Sequence, residues 1–317
     1  MTLVEIEAIE AAARPVADTC LRTPVLPFGA EDDRGALWLK AECLQPTGAF
    51  KLRGATNAIA GLSQTQRAAG VVTHSSGNHG QALAFAAAAA GVHATVVMPD
   101  GAAPVKVAAT RQWGGEVVMV PVGERESACQ AVAERTGAEI IPPYDDDRII
   151  AGQGTVGLEI VEQLPDVTAV LVPVGGGGLI SGVATAVKRR LPDAAVVGVE
   201  PKLAADLAEG FVAGERVTWS TDLTTRTFAD GLRGATVGER NWEHIRAYVD
   251  DVVTVSEDAI HVAMGKIAER CRIVAEPSGA VATAAYLEHG AALPGGTTVA
   301  VVSGGNVDPK LLAGALG

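Results

Sequence analysis

Lys51 is the residue whose setting first suggests covalent chemistry. In QPTGAFKLRGA (45–55) it lies between apolar Phe50 and Leu52, after a Pro-Thr-Gly turn. An amine held in apolar surroundings loses solvation of its charged form, so its pKa falls and it becomes suited to Schiff-base formation. On its own the segment reads more readily as an exposed Lys-x-Arg pair, because lysines mostly stay in water. A second segment, SSGNHGQAL (75–83), follows a β-type run and opens an Ala-rich helix reaching about Ala90. Backbone N–H groups at a helix start, joined by Ser and Asn side chains, suit a carboxylate. An ordinary N-cap competes with that reading, but a cap needs one polar residue and no glycines, so Gly77 and Gly80 favour close approach of a ligand. A third segment, VGGGGLISG (174–182), also joins strand to helix. Its unshielded backbone N–H groups and the positive helix end make phosphate the natural guest. A tight turn alone needs one or two glycines, not four. The pattern is neither a P-loop nor a spaced dinucleotide fingerprint, which argues against ATP hydrolysis and NAD binding.

These segments sit where strands end. The runs 71–75, 95–99, 116–121, 169–176, 196–200 and 298–305 alternate with helix-compatible, Ala-rich stretches. Continuous apolar strands separated by helices predict an α/β fold with mainly parallel sheets flanked by helices. Such sheets place ligands at their carboxyl ends, where SSGNHG, GGGG and SGG cluster. The best internal breakpoint is Asp145-Asp146-Asp147, which reads at least as well as a solvated turn.

Composition narrows the partners. With 48% hydrophobic and 20% charged residues in 317, disorder is excluded, and one large or two medium domains are expected. A formal charge of -12 repels phosphate backbones and anionic lipid, so nucleic-acid and membrane-surface roles are discounted. The longest apolar stretch, Ala82 to Val92, is well short of the roughly 20 residues that cross a bilayer, and reads as a buried helix. The acidic N-terminus lacks the regions of a signal peptide, so a cytoplasmic location is expected. Cys20, Cys43, Cys129 and Cys271 are scattered without a CxxC pair and read as small hydrophobes rather than zinc ligands or disulfides.

A reactive lysine, a carboxylate cradle and a phosphate cradle together fit an amino acid joined to pyridoxal phosphate. The ordered set QPTGAFKLRGA, SSGNHGQAL, AGQGTVGLEI, VGGGGLISG, EPKLAAD, FADGLRG, AEPSGA and VVSGGNVDP resembles the serine/threonine dehydratase and serine racemase family across nearly the whole chain. These are two-domain, fold type II pyridoxal-phosphate enzymes, similar to tryptophan synthase β. The resemblance implies a large domain from residues 1–69 and 148–317, a small domain at 70–147 that closes over the site, and a homodimer. It implies that Lys51 bonds the cofactor and then acts as base at the substrate Cα. Asn78 lies beside the cofactor's phenolic oxygen, Gly175, Gly176, Gly177, Gly178 and Leu179 take its phosphate, and Ser303 takes its pyridine nitrogen. Ser75, Ser76, Gly77, Asn78 and His79 hold the substrate carboxylate. Glu200, the carbonyl of Ala204 and Asp206 match the family's cation loop, with Mg²⁺ or a similar divalent ion expected; a solvated acidic loop is the alternative.

The neutral hydroxyl of Ser303 supports a pyridinium less than a carboxylate does, which favours β-elimination over transamination. Ala49 stands where relatives often have Ser, and Tyr144 replaces an asparagine or phenylalanine near the substrate side chain. Trp113 replaces a tyrosine implicated in nucleotide binding, so ATP activation is not carried over. The chain ends soon after VVSGGNVDP, so a regulatory ACT domain and isoleucine control are not expected. The expected activity is conversion of L-threonine, L-serine or a related β-hydroxy amino acid to a 2-oxo acid and ammonia. Amino-acid racemisation is the alternative, through Ser76 on the face opposite Lys51, and both activities are compatible with one site. A non-catalytic phosphate-ligand sensor is the remote alternative, which an intact Lys51 disfavours.

Overall fold

The computed structural model describes residues 2–29, 35–292 and 295–317. Ten strands occur among them: β1 (Val25–Gly29), β2 (Leu37–Lys40), β3 (Val71–His74), β4 (Ala94–Pro99), β5 (Glu116–Val120), β6 (Glu139–Ile140), β7 (Val167–Pro173), β8 (Ala195–Pro201), β9 (Asp251–Val255) and β10 (Thr297–Val301). They form two sheets, ordered β1-β2-β10-β7-β8-β9 and β5-β4-β3-β6. Every pairing is parallel except β1 with β2. The central strands are buried on both faces, as Val170 to Val172 and Val196, Val197 and Val199 show. That is why their sequences run apolar without alternation.

Two helices carry the first motifs. The helix Asn78–Ala89 is built largely of alanine, the residue of lowest helix cost, and buries Ala82, Leu83, Ala84, Ala86 and Ala87. Its small side chains let it pack closely with the helix Lys51–Ala60. Leu52, Ala55, Ala58 and Ile59 share a core with Val71, Ala82, Leu83 and Ala94, so packing is continuous across the 69/70 position.

The Lys51 helix is pinned from behind by buried charge. Arg53 is fully buried and grips Glu42 with two nitrogens, each at 2.8 Å, while its third reaches Glu159 at 2.7 Å. Lys40 adds a 2.6 Å bond to Glu159. The surface reading of the Lys-x-Arg pair is therefore wrong for Arg53. Removing one partner from such a set leaves an uncompensated buried charge, at a cost of about 3–5 kcal/mol, so this cluster fixes the turn on which Lys51 stands.

The three aspartates at 145–147 are likewise no idle solvated turn. Asp145 accepts from the backbone of Arg240 at 2.9 Å and of Glu239 at 3.2 Å. Asp146 caps the helix Asp147–Gln163 by accepting from Arg148 N, and Asp147 pairs with Arg240 at 3.0 Å. Ala49 is fully buried and bridged to Gly304. Trp113 packs edge-on against Phe85, with ring centroids 4.9 Å apart. All four cysteines are free thiols. Among the described residues no helix is long and apolar enough to cross a membrane.

Candidate active site

The ends of β3, β7 and β10 converge on one cavity of about 530 Å³. Lys51, Ser75, Ser76, Gly77, Asn78, His79, Gly175, Gly176, Gly177, Gly178, Leu179 and Ser303 all line it. Residues far apart in the chain thus meet in one place because parallel strands deliver their loops to the same edge.

Lys51 Nζ donates to the Pro143 carbonyl at 2.7 Å and lies 5.0 Å from the Phe50 ring centroid. Burial pushes its amine down to about 8, with no carboxylate to oppose the shift. The direction follows from the apolar neighbours seen in the sequence. Lys106 also lines the cavity, but it is committed to Asp230 at 2.5 Å.

At the turn 75–79, Ser75 Oγ accepts from Gly77 N at 3.3 Å. The Ser76 hydroxyl has no protein partner among the described residues and faces the cavity. His79 is committed elsewhere: its Nε2 bonds the Ile141 carbonyl at 3.0 Å, and a carbonyl can only accept, so this nitrogen carries the proton. Burial and the nearby Lys51 push the ring down to about 3, keeping it neutral. The donor His79 can offer a carboxylate is therefore its backbone N–H in the first helical turn.

The glycine run has a packing reason that the sequence did not show. A Cβ at Gly176 would fall 2.2 Å from Tyr144 Cδ1, and one at Gly178 would fall 3.0 Å from Tyr144 Cβ. Gly177 has φ +91°, and a Cβ there would fall 2.9 Å from Asn241 Cβ, while a Cβ at Gly175 would fall 3.2 Å from the Gly231 carbonyl oxygen. Crowding or backbone conformation accounts for Gly176, Gly177 and Gly178, so the number of glycines alone is no proof of a phosphate. The ligand argument rests instead on the helix Gly178–Arg190, whose first N–H groups open into the cavity without intrahelical acceptors. Asn241 Nδ2 donates to the Gly176 carbonyl at 2.6 Å and holds the loop in place. Ser303, buried, donates to the Ser278 carbonyl at 3.5 Å and offers a neutral hydroxyl to the cavity.

A phosphate-bearing aldehyde fits this set: a depressed amine, a helix start of bare glycines and a neutral hydroxyl share one cavity large enough for a cofactor and a small substrate. Sequence reasoning assigned no role to Glu276, Asn306 or Asp230, which also line the wall. The signal was present, since they fall in AEPSGA, VVSGGNVDP and FADGLRG.

Glu200, Ala204 and Asp206 lie outside this cavity, at the end of β8 and the start of the helix Asp206–Ala213. Glu200 accepts from Leu207 N at 3.3 Å and Ala208 N at 2.8 Å, so part of its task is to cap that helix. Asp206 Oδ2 is buried without a partner. Burial, then the neighbouring Asp206, hold the Glu200 carboxyl well above the usual range, and burial pushes Asp206 up to about 6. No group of three or more His, Cys, Asp or Glu surrounds a common point among the described residues.

A fold of two mainly parallel sheets, with a lysine and a glycine loop in one cavity, defines a fold type II pyridoxal-phosphate enzyme. The chain belongs to the pyridoxal-phosphate dependent enzyme family, which it matches over residues 16–304. It is 44% identical over 296 residues to a serine racemase of Arabidopsis thaliana, covering 90% of this chain and 88% of that one. It is 41% identical over 318 residues to an L-threonine ammonia-lyase of Thermotoga maritima, covering 98% and 77%. The solved maize serine racemase superposes with a TM-score of 0.92 at 38% identity, covering 98% of this chain and 96% of that one. The resemblance to dehydratases and serine racemases is borne out, and the chain is a pyridoxal-phosphate-dependent enzyme.

Proposed function

We propose that the protein is a threonine/serine ammonia-lyase, converting a β-hydroxy L-amino acid to a 2-oxo acid and ammonia. The observation that carries this reading is the single cavity shared by Lys51, the Ser75–His79 turn, the glycine loop and Ser303. Bound pyridoxal phosphate supplies an aldehyde that takes up the substrate amine and a conjugated ring that accepts electrons as the Cα–H bond breaks. The N–H groups from 175 to 179 would hold its phosphate, and the Ser303 hydroxyl would serve its ring nitrogen. The turn 75–79 holds the substrate carboxylate and so presents Cα–H to Lys51. The free amine of Lys51 takes that proton, which a lysine of ordinary pKa would be too fully charged to do. The β-hydroxyl leaves as water with one proton, which balances the one Lys51 removed from Cα, and hydrolysis of the released enamine consumes one water, so ammonia and the 2-oxo acid are the net products.

Racemisation is the second reading, because the unpartnered Ser76 hydroxyl faces the same cavity and offers a second proton-exchanging group. An amino-acid panel assayed together for 2-oxo acid, ammonia and D-enantiomer tests both. Product formation from no β-hydroxy amino acid would overturn the lyase reading. A sensor is disfavoured, since it has no use for a depressed, aldehyde-trapping amine.

We also propose a divalent cation, Mg²⁺ by its preference for oxygen ligands, at Glu200, the Ala204 carbonyl and Asp206. The unpartnered Asp206 Oδ2 beside a second buried carboxylate supports it. Chelation is expected to lower the melting temperature and Mg²⁺ to restore it, since binding only the folded state adds about 2.7 kcal/mol at a hundredfold excess over Kd. An unchanged melting curve would leave Glu200 as a helix cap alone. The enzyme is proposed to be a homodimer, so light scattering should return twice the 32.3 kDa chain mass.

A further inference from the structure

Glu276 has no part in the chemistry above, yet its carboxyl forms the cavity wall and is almost fully buried. Its bond partners are arranged in a directional chain. Asn306 Nδ2 donates to the Thr47 carbonyl at 2.8 Å, and because a carbonyl only accepts, this contact settles which end of the Asn306 amide is nitrogen. The same nitrogen donates to Asn78 Oδ1 at 2.8 Å. The other end of Asn78 is therefore Nδ2, and it donates to Glu276 Oε1 at 2.7 Å. One N–H of Asn78 is spent on Glu276, which leaves the second to the cavity that Asn78 lines.

Backbone packing is shaped around this contact. A Cβ at Gly304 would lie 2.3 Å from Glu276 Oε1 and 3.2 Å from Asn78 Nδ2, so only glycine there lets the carboxyl and the amide meet. The contact also joins the two sheets: Asn78 follows β3 of the four-stranded sheet, whereas Glu276 precedes the helix Pro277–His289 and Asn306 follows β10 of the six-stranded sheet. The groups facing Glu276 are Asn78, Asp230, Lys106, the backbone N–H of Asn306 and the partly buried thiol of Cys43; Asp230 opposes its ionisation, Asn78, Lys106 and Asn306 favour it, and Glu276 in turn adds to burial in holding Cys43 protonated. Burial is the largest influence, and the carboxyl is pushed up to about 8. A neutral carboxyl still accepts through its carbonyl oxygen. It can hold Asn78 without setting a negative charge beside an electron-rich cofactor oxygen.

We propose that Glu276 is a positioning residue for the cofactor, acting through Asn78 to present one amide N–H donor to the cofactor's ring oxygen. This rests on the reading that Lys51 and the glycine loop hold pyridoxal phosphate. It adds that Asn78 works only when Glu276 orients it, and that bringing the two sheets together at this contact seats the cofactor.

The test titrates apoprotein with pyridoxal phosphate, reading Kd from intrinsic tryptophan fluorescence, with melting curves of each apoprotein as fold controls. Glu276→Ala is expected to weaken binding about tenfold, the scale of one hydrogen bond to a polar partner. Asn78→Ala should lose a similar factor, and the double variant should be no worse than Asn78→Ala, because the two act as one unit. Glu276→Gln keeps an acceptor oxygen for Asn78 and should bind within about threefold of the unaltered protein. A second readout is the absorbance of the loaded protein from pH 6 to 10. The unaltered protein should show a transition near pH 8 that Glu276→Gln lacks, and this variant decides the matter if Glu276→Ala does not fold. Unchanged Kd in Glu276→Ala, losses that multiply in the double variant, or the same transition in Glu276→Gln would each overturn the proposal. Failure of the unaltered protein to take up pyridoxal phosphate would instead strike the cofactor reading itself, and this inference with it.

Discussion

Lys51→Ala is expected to abolish both covalent attachment of pyridoxal phosphate and turnover. Borohydride reduction of the unaltered protein, followed by peptide mass spectrometry, should place the cofactor on the peptide containing Lys51. Two lysines line the cavity, and the structure separates them: Lys106 is tied to Asp230 at 2.5 Å, whereas Lys51 meets only the Pro143 carbonyl and an aromatic face. Only the uncharged amine is a nucleophile. Since burial lowers Lys51 from 10.5 to about 8, its reactive fraction grows as pH rises through 8. The rate of covalent loading of apoprotein should therefore climb with a midpoint near pH 8, two or so units below that of a solvated lysine. Lys51→Arg keeps a charged, non-nucleophilic group at every accessible pH and should load no cofactor. Adduct on Lys106, or a loading midpoint near the ordinary lysine value, would defeat the assignment.

The parts of this architecture legible in the sequence are those whose physics is local. Strands such as β7 and β8 are covered on both faces, so they read as short apolar runs, and their valines set them apart from the Ala-rich buried helix Asn78–Ala89. Four strands escaped notice: β1 and β9 are edge strands with one buried residue each, β1 carrying Pro27, while β2 is four residues ending in Lys40 and β6 two residues, too short to show a period. The two cradles were legible for the same reason: each is a strand end followed by a helix start within one short segment. Glu276 was not, since its meaning lies in Asn78, 198 positions away, and in a glycine that makes room for the contact. The four glycines give the opposite lesson. They drew attention as a phosphate site, yet Tyr144, Asn241 and the Gly231 carbonyl each press on the loop. Arg53 shows how a motif can mislead in the other direction, because a Lys-x-Arg pair says nothing of the two carboxylates, Glu42 and Glu159, that bury its second member.

Ser76→Ala is expected to separate elimination from racemisation. Elimination needs a base on one side of Cα and a route for the leaving hydroxyl, and Lys51 supplies the base without help from Ser76. Racemisation also needs proton exchange on the other side, for which the Ser76 hydroxyl, facing the cavity with no protein partner, is the available group. Dehydration of the L-amino acid should survive within roughly tenfold, about 1.4 kcal/mol of barrier, because the change only loosens carboxylate positioning. The rest of that cradle stays intact: Ser75 remains bonded to Gly77 N, and the first helical turn keeps its free N–H groups. Production of D-enantiomer and turnover of D-substrate should fall by roughly a hundredfold or more, the usual scale for losing an acid–base group. Comparing both activities in one preparation cancels any loss of folded protein, which would lower them equally. An equal collapse of L-dehydration and D-turnover would show that Ser76 serves substrate positioning in common. Absence of D-activity in the unaltered protein would leave Ser76 as a carboxylate ligand at the helix start, with Lys51 as the only proton-exchanging group at Cα.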